Sequence, residues 1–232
     1  MNEEKTGQQT VKNDILDKIK QGKPAALPLP VVPMFPYKGD PVEDFINQLI
    51  NFDGQVIQFK SRESAVEWLN KQLQEKLAQK KIYSSASGIE GNISEEMLAD
   101  LHNATQINIC VSEADMGVGE MGAVWVTDAS LKHAACAHLS RHLYILLDST
   151  RIFGGLHEAY AHIQLPEHQY GSFFTGPSAT ADIEAVHITG AQGPLVFTVL
   201  LYNRENALPD PVLQTNPDAD KSVWAQEILA GD

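Results

Sequence analysis

Cysteine is nearly missing from this chain. Among 232 residues only Cys110 and Cys136 occur, far apart in sequence. Two thiols cannot supply an all-cysteine iron–sulfur cluster, nor the bridges of a small disulfide-stapled domain. One lies in an apolar run and the other in a predicted helix, which fits reduced, buried thiols and a cytoplasmic setting. Basic residues are also scarce, 17 Lys and Arg against 30 Asp and Glu, for a net charge of −13. Phosphate backbones and anionic membranes need clustered cations, so the charge disfavours nucleic acid and anionic membranes as partners. A small anion held by backbone N–H groups stays compatible with that charge. No apolar run approaches the roughly 20 residues of a membrane span. The acidic start Met-Asn-Glu-Glu-Lys is not a secretory signal.

What is present reads as one α/β domain with extensions. Residues 1–41 form an N-terminal helix and a proline-rich arm, 42–203 the domain, and 204–232 a C-terminal tail. Val11, Ile15, Leu16 and Ile19 predict a helix over Thr10 to Gln21, stopped by Gly22. Lys23 to Pro41 then holds half of the twelve prolines, with Leu27, Leu29, Val31, Val32, Met34, Phe35 and Tyr37 between them. That spacing forbids a helix interior or a central strand, and the apolar content predicts an arm packed over its own domain or over a second subunit. From Pro41 the rhythm alternates. Helices are expected over Val42 to Phe52, Ser61 to Gln79, from Ser94, over Ser130 to Ser140 and over Ile152 to Ile163. Strands are expected at Gln55 to Phe59, Lys81 to Ser85, Ile107 to Val111, Ala123 to Thr127, His142 to Leu147 and Leu195 to Tyr202. Strands separated by helices imply crossovers and a mainly parallel, doubly wound sheet flanked by helices. The tail carries a short amphipathic piece at Val223, Trp224, Ile228 and Leu229.

Two stretches carry candidate chemistry. Ser112 to Gly122 follows a predicted strand and holds Asp115 and Glu120 among Gly117, Gly119 and Gly122. Carboxylates just past a strand end stand where α/β sheets place ligands, although a solvated acidic turn has the same composition. The spacing is not that of a phosphate loop, and no Lys follows. Downstream, Gly176-Pro177-Ser178-Ala179-Thr180-Ala181-Asp182-Ile183-Glu184 precedes Gly190-Ala191-Gln192-Gly193-Pro194 and an apolar run. Ser178 or Thr180 could cap a short helix whose free N–H groups would bind an anion. A capped helix and a tight turn account for the same residues without a ligand. His138 and His142 stand four apart, a zinc spacing on a helix. His142 opens a predicted strand and no third ligand is near, so no metal is expected. Tyr170, Phe173 and Phe174 suit core packing or the wall of a planar ligand.

The Gly-Pro-Ser-x-Thr-Ala-Asp-Ile-Glu stretch with Gly-x-x-Gly-Pro and the strand after it resembles the signature of the LUD domain family. The likeness runs from about Asn13 to Asn203, most strongly from Ser112. Asp115, Glu120 and Gly122 fit the family's Asp followed by Ala-Glu-Thr-Gly, and His157-Glu158 is also similar to its pattern. Ala179 stands where many members carry Arg, Gln192 where many carry His, and Lys132 where many carry Arg. The resemblance implies a fold like sugar-phosphate isomerases and coenzyme A transferases. It also implies a site with Glu120 as base or nucleophile. Asp115, Gly122, Lys132, Gly176, Ser178, Thr180, Asp182, Glu184, Gly190, Gln192 and Gly193 would contact the ligand. On this resemblance the chain is a lactate utilisation protein C-like accessory subunit, its cofactor unknown, with iron–sulfur partner subunits in a lactate oxidation system. The alternative is a stand-alone enzyme using Glu120 on a coenzyme A ester, sugar phosphate or nucleotide. A carboxylate repels a bound phosphate unless a cation or hydroxyl intervenes, so Asp182 favours a hydroxylated ligand. If Glu120 and Asp182 share a pocket, their carboxylates lie within about 15 Å.

Overall fold

The computed structural model describes residues 2–24, 27, 28, 30, 31, 33, 35–164, 170–182, 184, 186, 188–203 and 211–215. The chain divides into two units, Met1–Phe35 and Pro36–Asp232. The first holds helix α1 (Asn2–Gln21), which starts earlier than the apolar spacing indicates, with Val11, Ile15, Leu16 and Ile19 exposed. Leu29, Val32 and Met34 of the arm and the amphipathic piece at 223–229 lie outside the described residues. Among the described residues no helix is long and apolar enough to cross a membrane.

The second unit opens with α2 (Pro41–Asn51). Asp40 caps it, accepting the Val42 and Glu43 N–H groups at 2.8 and 3.2 Å, and proline takes the first turn where no N–H is needed. Phe45, Ile46 and Leu49 form its buried face. β1 (Gln55–Phe59) follows, then α3 (Arg62–Gln74), whose start is fixed by a reciprocal Ser61–Ser64 capping box. After β2 (Ile82–Ser84) the helix expected from Ser94 is two 3-10 turns, Glu96–Ala99 and Leu101–Gln106. The chain continues through β3 (Ile109–Glu113), β4 (Met116–Val118), β5 (Ala123–Thr127), α4 (Asp128–Leu131), α5 (Ala134–Leu139), β6 (His142–Asp148) and β7 (Ile152–Phe153). α6 (Leu156–His162), β8 (Gly171–Phe174), β9 (Ala179–Thr180), β10 (Ile188–Thr189), β11 (Val196–Tyr202) and β12 (Val212–Gln214) complete it. The helix expected over Ser130 to Ser140 breaks at Lys132, which sits at φ 54°.

The main sheet has the order β12-β1-β11-β6-β3-β2, parallel from β1 to β2, with β12 antiparallel at the edge. The long strands β6 and β11 are buried along their whole length, which is why they read as continuous apolar runs. Alternation sends Leu143, Ile145, Phe197 and Val199 to the α2 face and Tyr144, Leu146, Leu200 and Phe59 to the α3 face. β5 was expected in this sheet. It instead joins a second one, ordered β7-β4-β5-β8, in which β4–β5 and β5–β8 are antiparallel. The aromatic segment before the signature supplies β8.

Candidate functional site

A cavity of about 570 Å³ opens at the carboxyl ends of β3, β6 and β11, the edge where α/β sheets place ligands. Its polar walls include Glu113, Asp115, Asp148 and Arg151, with Thr150, His162, Gln164 and Tyr202 beside them. Each acid is fixed by its local fold. Glu113 ends β3, where the Arg62 guanidinium and the Ser87 N–H (3.1 Å) both reach its Oε1. That contact with Glu113 raises the pKa of Arg62. Asp115 lies in the short β3–β4 link. Thr127 donates to its Oδ2 at 3.0 Å, and its carbonyl accepts Arg151 Nε at 3.0 Å. Asp148 ends β6 and caps the following 3-10 turn, accepting the Thr150 N–H at 3.0 Å and its hydroxyl at 2.7 Å. It is only 6% exposed.

Arg62 offsets Glu113, while Asp115 and Asp148 accept hydroxyl hydrogens and oppose a doubly charged phosphate more than a singly charged carboxylate. Arg151 adds a planar cation suited to a single carboxylate. The arrangement therefore suits a ligand bearing both a hydroxyl and a carboxylate. Among the described residues no group of three His, Cys, Asp or Glu side chains is placed to hold a metal ion.

Glu120 is not on these walls. It lies in the 3-10 turn Gly119–Met121, where its Oε1 accepts the Leu156 N–H at 2.6 Å and its own N–H donates to Gly154 O at 3.0 Å. The residue preceding α6 is Gly155, which has no side chain to cap it, and Glu120 supplies that cap from across the fold. Nearby, Tyr37 donates to Asp44 Oδ2 at 2.5 Å. Burial, that bond and the charges of Asp44 and Glu120 push its phenol up to about 12.

Among its described residues the signature forms no helix. Ala179–Thr180 pairs antiparallel with Ile188–Thr189 as a short hairpin. The Ser178 N–H donates to Pro194 O at 2.8 Å, and Ser178 O accepts the Gly190 N–H at 2.6 Å. The Ser178 and Gly190 amides are thus used in backbone pairing around the hairpin. The Thr180 hydroxyl accepts the Asp182 N–H at 3.3 Å, while Asp182, Glu184 and Gln192 are exposed. Gly193 packs on Ser178, where an added Cβ would lie 2.8 Å from the serine Cβ. Gly176 and Gly122 are close-approach positions rather than a ligand cradle. At φ 64° the first abuts the Phe52 carbonyl, and at φ 59° the second abuts the Leu49 amide, each leaving no room for a Cβ. The two glycine-rich turns both pack on α2, the first along its length through Gly119 and Gly122 and the second at its carboxyl end through Gly176. A Cβ on Gly119 would lie 2.8 Å from Pro41 O, whereas Gly176 touches Phe52.

Lys132 pairs with Glu95 at 3.1 Å. His138 meets the Tyr170 hydroxyl at 2.6 Å, and His142, in β6, meets the Thr198 hydroxyl at 2.9 Å, so the two histidines share no helix face. Of the residues expected to form the site, the cavity takes in Asp115 and joins it to Glu113, Asp148 and Arg151. Glu113 and Asp148 each close an apolar strand, a signal present in the sequence but weaker than the glycine motifs.

Residues 42–202 match the LUD domain. A crystal structure of a DUF162 family protein from Deinococcus radiodurans, at 1.70 Å resolution, has a similar fold. Its TM-score is 0.56 at 10% identity, covering 70% of this chain and 96% of that one. At that identity the likeness concerns the fold alone. No curated protein matches the chain.

Proposed function

The chain belongs to the LUD domain family, and on that premise we propose a lactate utilisation protein C-like accessory subunit that binds a small hydroxy acid. One observation carries the reading: a single cavity combines Asp115 and the buried Asp148 with Arg151. A hydroxyl facing the aspartates and a carboxylate facing the guanidinium would satisfy both kinds of group at once. Electron transfer would fall to cytoplasmic partner chains holding iron–sulfur clusters. Both cysteines here are buried in apolar core, and burial pushes the Cys136 thiol up to about 11 and Cys110 higher still. The stand-alone enzyme reading has less support, because the carboxylate it relies on, Glu120, is engaged with α6.

The test is a thermal-shift series with lactate, glycolate, pyruvate, acetyl coenzyme A and sugar phosphates on the wild type, Asp148→Asn and Arg151→Leu. The expected result is a shift with hydroxy acids that both substitutions weaken. Stabilisation by coenzyme A esters that Glu120→Gln abolishes would instead support the enzyme. Co-purification with a cysteine-rich subunit tests the accessory role.

A further inference from the structure

Lactate would use only part of the cavity at the carboxyl ends of β3, β6 and β11. It offers one hydroxyl and one carboxylate, which Asp148 and Arg151 satisfy between them. The cavity has about 570 Å³, the size of sites that enclose a whole drug-sized ligand. We propose that the acid bound there is polyhydroxylated, an aldonic acid such as gluconate, with its further hydroxyls on His162 and Gln164. This rests on the hydroxy-acid reading and names the substrate class of that same site.

The wall divides by element. Asp115 in the β3–β4 link, Asp148 at the end of β6 and Arg151 in the turn after it would hold the acid's head. Arg151 commits its Nε to the Asp115 carbonyl at 3.0 Å, which leaves its two Nη groups to take a carboxylate side by side. Thr127 and Thr150 donate to Asp115 Oδ2 and Asp148 Oδ1, so both carboxylates are held in place as acceptors. His162 and Gln164 come from elsewhere, the first closing α6 and the second just beyond it. Phe153 covers one face of the His162 ring, with centroids 4.3 Å apart and planes at 16°. The ring nitrogens lie in the ring plane, where that stacking does not block them. A neutral imidazole carries one donor and one acceptor, and a glutamine amide carries both. Alcohol hydroxyls donate and accept at once, so each matches either side chain.

Other substituents on the acid fit the wall less well. Met116 is 2% and Trp125 6% exposed, so neither turns much apolar surface to the cavity, and Ile163 is half-buried against the same cluster. An aryl or long alkyl group would lie among carboxylates and an amide and desolvate them without pairing. A phosphorylated sugar would bring a doubly charged group beside Asp115 and Asp148, whereas an aldonate brings a single charge that Arg151 matches.

Isothermal titration of the full chain with gluconate, lactate, glucose, phenyllactate and phosphogluconate, each up to millimolar concentration, tests this. Gluconate should bind at least about tenfold more tightly than any of the other four, the gain expected from one or two added hydrogen bonds. Gln164→Ala and His162→Ala alter exposed side chains, and each should cut the advantage of gluconate over lactate to about threefold or less. Lactate binding as tightly as gluconate would overturn the proposal and leave the hydroxy-acid reading standing. Binding of neither acid would overturn both. Tighter binding of phenyllactate or phosphogluconate, or glucose binding as well as gluconate, would also overturn the proposal. So would a gluconate advantage that survives both substitutions.

Discussion

Glu120 and Leu156 are joined by a 2.6 Å hydrogen bond from the Leu156 amide to the Glu120 carboxylate, 36 residues apart in sequence. A residue placed to suggest a nucleophile thus serves as the amino-terminal cap of α6. Glu120→Ala should lower stability by about 1 kcal/mol, the usual range for losing a cap, with hydroxy-acid binding unchanged. Urea denaturation and a ligand titration check both halves. Lost binding at unchanged stability would return Glu120 to the chemistry.

Gly122 and Gly88 both sit at positive φ, 59° and 82°, but differ in what surrounds them. A methyl group on Gly88 would meet only Val66 Cγ1, at 3.5 Å, while one on Gly122 would strike the backbone of α2. Gly88→Ala should cost about 1 kcal/mol from backbone strain. Gly122→Ala should cost about 3 kcal/mol or prevent folding, because strain and collision add. Melting curves of the two variants make the comparison.

His142 is 4% exposed, stacks on Tyr144 and bonds to Thr198, which donates on to Gln55 at 3.0 Å. Burial first, then the nearby Lys76 and Lys80, hold its pKa well below the ordinary histidine value. The folded state therefore keeps the ring neutral, whereas the unfolded chain takes up a proton below about pH 6.5. This contribution to stability is complete above that pH and declines as pH falls, by up to about 1.4 kcal/mol per unit. His142→Gln should flatten the acid limb of the stability profile below about pH 6.5. An unchanged slope would show that the ring titrates alike in both states.

Cys110 and Cys136 should resist a thiol-specific reagent at pH 8 in the native protein, because only a thiolate reacts and burial raises both thiols. In denaturant both should react. Fast labelling of either thiol in the native protein would mean that the core opens locally.

Much of the main sheet was legible because burial on both faces forces unbroken apolar strands. Gln55–Phe59 and Ala123–Thr127 are found at their expected bounds. Which sheet a strand joins is not written in its own residues, and β5 was misassigned for that reason. The short β4, with its central glycine, reads as loop because pairing with β5 and β7 alone makes it a strand. Ser178 and Thr180 carry helix-capping side chains, yet Gly176 is seated on the end of α2 and the chain leaves as a hairpin. Here tertiary contact overrides local preference. The cavity was half hidden for a similar reason. Asp115 stands out beside glycines, whereas Glu113, Asp148 and Tyr202 meet only because three distant strands end at one edge.

The antiparallel strand β12 comes from outside the segment 42–202 that defines the family match, and it covers the free side of β1. A polypeptide cut after Asn203 would keep the LUD domain yet leave the outer edge of β1 at Val56–Gln58 bare, its other edge still paired with β11. Such an edge is a template for the same strand in another molecule. The shortened protein should form pairs and then insoluble assemblies, so the covering strand acts as a guard against self-association.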